Sequence, residues 1–292
     1  VRALARSDAS AKTVRERGAE PVRGDLDDVG AMAAGCEVVF HCAAHLGDWG
    51  RREDSERGNV QGTRNALAAA RQAGVRRFVH VGTEAALLAG QPLIEVDERA
   101  PLRFDSPALY SSTKARAEEA VIEANQNGLE TVVVRPRFVW GRGDTTLLPV
   151  MTEMARSGRF AWIGGGRHRT STTHVDNVVH GLLLAAQRGA RGGVYFVTDG
   201  EPVVFRDFVT RLLATQGVEA PGRSLPVGVA RAVAAAGETA WRLLPLPGRP
   251  PVTRLAVWVS ALETTIDITR ARTELGYEPV RTIDQGLEEL QS

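Results

Sequence analysis

Tyr110 and Lys114 are the residues whose types and spacing most directly suggest chemistry. They stand four apart in a stretch that reads as a helix, so their side chains share one face and can converge on one substrate atom. A phenol is a poor base near neutral pH, and an ammonium beside it is expected to lower its pKa, making a usable proton-transfer pair. The same spacing also occurs on plain surface helices. Here the background is low: Lys12 and Lys114 are the only lysines among 36 basic residues, and the chain has 3 tyrosines. Thr83 closes the run Arg77-Phe78-Val79-His80-Val81-Gly82, which reads as a buried strand. A hydroxyl at the carboxyl end of such a strand could steady a substrate carbonyl oxygen, or simply cap the next turn.

The elements that must position these residues follow from the pattern around them. Short runs rich in Val and Phe alternate with Ala-rich periodic stretches, which predicts an α/β fold: a Rossmann-like, doubly wound parallel sheet with helices on both faces. Strands are expected near 1–5, 20–23, 37–42, 76–82, 131–135 and 193–198, and helices near 10–17, 27–34, 56–73, 107–127 and 174–188. Ser106 is expected to cap the helix over 107–127, with Pro107 in its first turn. Two more strand ends carry suggestive residues. Gly24-Asp25-Leu26 offers a carboxylate, and Cys42-Ala43-Ala44 offers small residues against which a ligand can lie close to the backbone. Asp25 is equally placed to cap the helix after it, and Asn59 reads as a plain N-cap.

The first residues already form a strand, and no Gly-rich turn stands before it, so the phosphate-binding opening of a nucleotide-binding sheet is missing. A chain truncated at its N-terminus is the favoured reading; a fold that starts late is the other. Segments with Pro/Gly clusters, including Pro245 to Pro251, break the βα rhythm. The expected division is therefore 1–143 plus 174–199 as a dinucleotide-binding domain and 144–173 plus 200–292 as a smaller substrate-binding lobe.

Net charge is +1 from 36 basic and 35 acidic residues, which gives no field favouring nucleic acid or an anionic membrane, and a small-molecule partner is expected. Cys36 and Cys42 have neither metal-ligand spacing nor the density of a secreted scaffold, so no metal and a reducing cytoplasm are expected. Arg231 and Glu238 interrupt the most apolar region, leaving no membrane span, and no signal peptide is read at the N-terminus.

Together these residues resemble the extended short-chain dehydrogenase/reductase family, the epimerase/dehydratase superfamily, from Val1 to about residue 200 and more loosely to Tyr277-Glu278-Pro279. The resemblance implies Tyr110, Lys114 and Thr83 as a catalytic triad with Asn59 as helper. It implies Asp25 and Leu26 at an adenine, Ala43 and Ala44 along the cofactor, Lys114 at a ribose, and Pro136 with Val139 at a nicotinamide. Gly47-Asp48-Trp49-Gly50 and Thr172-Thr173-His174-Val175-Asp176-Asn177 look like the 3β-hydroxysteroid dehydrogenase and 2-alkyl-3-oxoalkanoate reductase branch. Sugar-nucleotide members usually carry Arg-Asp where this chain has Thr170-Ser171. The apolar segment from Leu225 to Leu262, with Trp241 and Trp258, suits a hydrophobic substrate or ordinary core packing. The expected activity is NAD(P)-dependent interconversion of a secondary alcohol and a ketone. The rivals are a sugar-nucleotide epimerase or dehydratase and a non-catalytic nucleotide sensor. Arg6 and Ser7, at the end of the first strand, point to NADP over NAD, against the nearby carboxylate of Asp8. Helices 59–73 and 107–127 are expected to pair across a two-fold axis in a homodimer.

Overall fold

The computed structural model describes residues 1–126, 128–244 and 246–291, and at Ala31 the backbone alone. The expected helix end at 127 and the Pro/Gly cluster's Pro245 lie outside the described residues. From the N-terminus, β1 (Arg2–Ala5) passes through Arg6 and Ser7 into α1 (Asp8–Glu16) and returns as β2 (Glu20–Arg23), parallel to β1. There follow α2 (Gly30–Ala33), β3 (Val38–His41), α3 (Gly62–Gln72), β4 (Arg77–Val81) and α4 (Leu109–Glu123). Then come β5 (Glu130–Pro136), α5 (Val175–Arg188) and β6 (Gly193–Val197). The main sheet runs β6-β5-β4-β3, all parallel, with His41 opposite His80, Val81 opposite Val134 and Val197 opposite Pro136. This is the Rossmann-like α/β architecture, and it brings every carboxyl end to one edge of the sheet.

Side chains alternate across each strand, and helices cover both faces. Phe78 and Val133 pack with Leu67, Ala70 and Val121 on one face; Val79, Val132 and Val134 meet Val178, Leu182 and Ala185 on the other. Each such Val or Phe stabilises the fold by about 1.5–3 kcal/mol when fully buried. Among the described residues β1 pairs with β2 and β3 with β4, and the two groups are not hydrogen-bonded to each other. Their facing edges, Val1–Leu4 and Val38–Ala43, wall an apolar cleft of about 540 Å³.

The remainder is built on a small sheet of Val203–Val204, Arg169–Thr170, Thr264–Ile266 and Leu93–Val96, with helices Leu148–Arg156, Phe205–Ala214, Val227–Leu243, Arg254–Ala261 and Ile283–Gln291. Leu93–Val96 belongs by position to the first part of the chain yet pairs with Thr264–Ile266. Leu255, Trp258 and Leu262 enter the same core as Val79 and Val134, so the two parts share one core.

Several boundaries differ from expectation. The helix expected from 107 starts at Leu109, because Ala108 is extended and serves as N-cap without a side-chain cap; Pro107 lies before it and the Ser106 hydroxyl is buried with no partner among the described residues. The helix expected over 56–73 is entered at Arg52 and has a π-helical segment over Glu56–Gln61, so Asn59 is interior rather than an N-cap. α2 is shorter than 27–34 because the Asp25 carboxylate accepts from the Asp27 N–H at 2.9 Å, an Asx turn that holds this stretch out of the helix. α1 begins early because Ser7 and Ser10 form a capping box.

Candidate active site

The proton-transfer residues meet where β4 ends and α4 begins. Gly82 carries the chain out of β4 through a crowded turn: a Cβ there would lie 2.9 Å from Val133 Cγ1 and 3.0 Å from Glu118 Oε2. Thr83 Oγ1 accepts from the Ala85 N–H at 3.1 Å, capping the short turn Glu84–Leu87, and donates to Glu84 Oε2 at 3.0 Å. Thr83 is a polar neighbour of the Tyr110 phenol and acts to lower its pKa. Thr83 is thus both a cap and the neighbour of the phenol. Lys114, buried one turn along α4, donates to the Val81 carbonyl at 2.8 Å and faces His80 Nε2 at 3.4 Å.

The electrostatics of the polypeptide alone are set by burial. Burial pushes the Tyr110 phenol up to about 12, Glu84 adds to the rise, and the Thr83 bond opposes it. Lys114 is drawn down to about 8 by burial, against the carboxylate of Glu118. The lowering was expected from the ammonium together with an oxidised nicotinamide ring; in the polypeptide alone Lys114 Nζ is directed at Val81 and His80, and burial, then Glu84, raise the phenol.

Along the same edge, Arg6 and Ser7 follow β1, Asp25 and Leu26 follow β2, Ala43 and Ala44 follow β3, and Pro136 ends β5. Leu26 and Ala43 line the cleft. Leu26 lies against Gly62, where a Cβ would come within 2.7 Å of its Cδ1. Arg6 is exposed, Ser7 is engaged in its capping box, and Asp25 is exposed in its Asx turn. Val139 is exposed after Phe138, whose φ of +44° is a strained left-handed conformation held by ring contacts 5.9 Å from Phe205 and from Phe208. Asn59 bridges segments: its Oδ1 accepts from the His45 N–H at 2.7 Å, and its Nδ2 donates to the His45 carbonyl at 3.2 Å and to Thr113 Oγ1 at 3.0 Å. Asn59 thus fastens the loop after β3 to α4 at Thr113, the neighbour of Lys114.

A dinucleotide suits this edge, with small residues beside an apolar cleft, an exposed guanidinium at one end and a buried ammonium at the other. No Gly-x-Gly-x-x-Gly turn stands among the described residues to cradle its pyrophosphate.

Sequence reasoning missed two groups, one buried and one half-buried. Glu84 and Arg137 form an ion pair at 2.5 Å next to Thr83. Each stands next to a residue singled out in the sequence, Thr83 and Pro136, but a partnership 53 residues apart leaves no local signal. Asp199, two residues beyond β6, accepts from Trp140 Nε1 at 2.8 Å, Thr172 Oγ1 at 2.7 Å, the His174 N–H at 2.6 Å and Asn177 Nδ2 at 2.7 Å.

A doubly wound parallel sheet with a tyrosine and a lysine one helical turn apart at its carboxyl edge defines an oxidoreductase of the extended short-chain dehydrogenase class. The chain belongs to the 3-beta hydroxysteroid dehydrogenase/isomerase family, whose pattern matches residues 4–227. It is 48% identical to the 4-hydroxy-2-methyl-3-oxo-4-farnesyl-3,4-dihydroquinoline-1-oxide ketoreductase of Stigmatella aurantiaca, over 99% of this chain and 88% of that protein. It is 36% identical to the 2-alkyl-3-oxoalkanoate reductase of Stenotrophomonas maltophilia, over 94% of this chain and 86% of that protein. Its fold is similar to that of the UDP-glucuronic acid 4-epimerase from Bacillus cereus, solved in complex with NAD, with a TM-score of 0.72 at 18% identity over 97% of this chain and 85% of that one.

Proposed function

We propose that the protein interconverts a ketone and a secondary alcohol on a hydrophobic substrate, sterol-like or a 2-alkyl-3-oxo acid, with a nicotinamide dinucleotide as redox partner. The observation that carries this reading is Tyr110 and Lys114 one turn apart on α4, with Thr83 at the carboxyl end of β4. The cofactor, when bound, supplies or accepts the hydride at nicotinamide C4. Tyr110 gives its proton to the carbonyl oxygen as the carbon is reduced, and takes it back in the reverse direction. A phenol held near 12 is protonated at neutral pH, which suits the reductive direction. Thr83 orients the phenol, and Lys114 lies beside it as a buried donor for the ribose. The Stigmatella and Stenotrophomonas relatives are named for reductions of farnesylated and alkylated oxo compounds, which supports the hydrophobic substrate. Tyr110→Phe should lower kcat by several orders of magnitude while circular dichroism stays unchanged; near wild-type turnover would remove Tyr110 from the reaction.

We also propose NADP(H) preference, resting on Arg6. Its guanidinium is exposed beyond β1, while the competing carboxylate of Asp8 is paired with Arg23 at 3.3 Å. Arg6→Ala should cut kcat/KM for NADPH about 10-fold or more and leave NADH little changed, as expected for loss of one phosphate contact. Equal use of both cofactors by the wild type would count against it. Residues 1–143 with 174–199 supply the cofactor side in this reading, and 144–173 with 200–292 supply the substrate side. Free Cys36 and Cys42 fit a reducing cytoplasm.

A further inference from the structure

Lys114 carries the buried ammonium of the site, and the groups around it fix more than its place on α4. It is 3% exposed, its Nζ donates to the Val81 carbonyl at 2.8 Å, and His80 Nε2 stands 3.4 Å away. An ammonium offers protons and no lone pair, so the imidazole nitrogen that faces it is the one without a proton. His80 is therefore the tautomer with its proton on Nδ1. That Nδ1 is buried and has no partner among the described residues.

His80 is 1% exposed on β4 and stacks on His41 of β3, with ring centroids 5.4 Å apart. His41 Nε2 meets Thr63 Oγ1 at 3.0 Å, and that hydroxyl gives its own proton to the Asn59 carbonyl at 2.6 Å, so His41 is the donor. His41 is thereby fastened to α3 and sets the plane of the His80 ring. An imidazole with an orphaned N–H is a poor choice for packing alone, since an unpaired buried donor costs stability that a phenylalanine of similar shape would not lose. The nitrogen aimed at Lys114 gives the ring another use.

The ammonium has three protons. One goes to Val81, one is directed at His80, and the third is left over. On the reading of Lys114 as the donor for the cofactor ribose, we propose that His80 is a positioning residue: with the Val81 carbonyl it fixes the rotation of the Lys114 ammonium and leaves the third proton for a ribose hydroxyl. His80 also steadies the charged form, because a lone pair holds an ammonium more strongly than a neutral amine. Burial works the other way and draws Lys114 down to about 8. The other titratable groups around Lys114 are His41 and Cys42 at the end of β3, Tyr110 one turn back on α4, and Glu118 one turn on. Glu118 is paired with Arg135 of β5. His41 and His80 are both held below the ordinary histidine value by burial, so they stay neutral where Lys114 titrates.

The test uses the whole protein with lysine labelled by 13C at Cε. The chain has 2 lysines, Lys12 exposed on α1 and Lys114 buried, and Lys12→Arg assigns the two signals. His80→Phe keeps a planar ring and removes the acceptor, whereas His80→Gln puts an oxygen acceptor within similar reach. In His80→Phe the Lys114 titration midpoint should fall by about one pH unit, as expected for loss of one hydrogen bond to a charged group. In His80→Gln it should stay within about 0.3 of the wild type. His80→Leu removes the same acceptor and takes the place of His80→Phe where circular dichroism shows the latter unfolded. A fall of less than about 0.5 on removing the acceptor, or an equal fall in His80→Gln, overturns the proposal. With NADPH and ethyl 2-methyl-3-oxobutanoate as probe, the alkaline limb of kcat/KM for reduction should move down with the NMR midpoint and return in His80→Gln. The NMR readout needs neither turnover nor cofactor, so the two failures are distinguishable. A failed acceptor role leaves the Lys114 midpoint in place; a failed ribose role moves the midpoint and leaves the alkaline limb unchanged, and either overturns the proposal.

Discussion

His41 and His80 stand opposite each other on β3 and β4, stacked with ring centroids 5.4 Å apart. Burial drives both pKa values down, His41 from 6.5 to about 4 and His80 well below 6.5, with the Lys114 charge adding to each. A histidine whose folded pKa is depressed stabilises the fold above its unfolded pKa. That contribution is lost as pH falls from about 6.5 toward the folded value, because the unfolded chain then binds the proton more readily. Within that window His41 alone removes about 1.4 kcal/mol per pH unit. Urea denaturation should therefore show stability falling steeply between pH 6.5 and 4.5, with a shallower slope in His41→Phe; identical slopes would disprove the coupling. At this scale the sequence was informative about where Tyr110, Lys114 and Thr83 sit, because a four-residue spacing and a strand end are local patterns. Glu84, Arg137 and Asp199 were not legible, since their meaning lies in partners distant along the chain. Ser106 misled, because capping preference cannot reveal that Ala108 stays extended.

Helices and strands were legible where periodicity ran long. β4 and β5 read as apolar runs because both their faces are covered, and α5 was placed to within a residue. The helix entering at Arg52 was harder, since a π-helical segment has no signature in composition and puts Asn59 inside rather than at the start. Asp199 shows how the later elements are fastened: one carboxylate ties Trp140, Thr172, His174 and Asn177 to the end of β6. Asp199→Ala should destabilise the protein by about 2–4 kcal/mol in denaturant titration, since it leaves several donors unpaired. Loss below about 0.5 kcal/mol would show that water replaces the carboxylate. Asn59→Ala should loosen the His45 loop and raise KM for the cofactor several-fold with a smaller change in kcat.

For the whole molecule we propose an isologous homodimer through α3 and α4. The outer face of α3 carries exposed Arg64 and Arg71, and that of α4 carries exposed Glu119, Ile122 and Glu123, so a two-fold axis that sets α3 against the partner's α4 brings opposite charges together. Light scattering should give twice the 31.4 kDa chain mass at micromolar concentration, weakening with salt; a monomer at low salt would refute it. The gap between β1–β2 and the main sheet has a consequence of its own in time rather than in space. Residues of β4 and β5 are sealed by neighbours on every side, whereas β1 and β2 lend their amides to each other alone and are half-exposed along one flank. Deuterium should therefore enter residues 2–23 through a cheap, local opening, well before it reaches Arg77–Val81 and Glu130–Pro136, whose amides exchange only when the whole molecule comes apart.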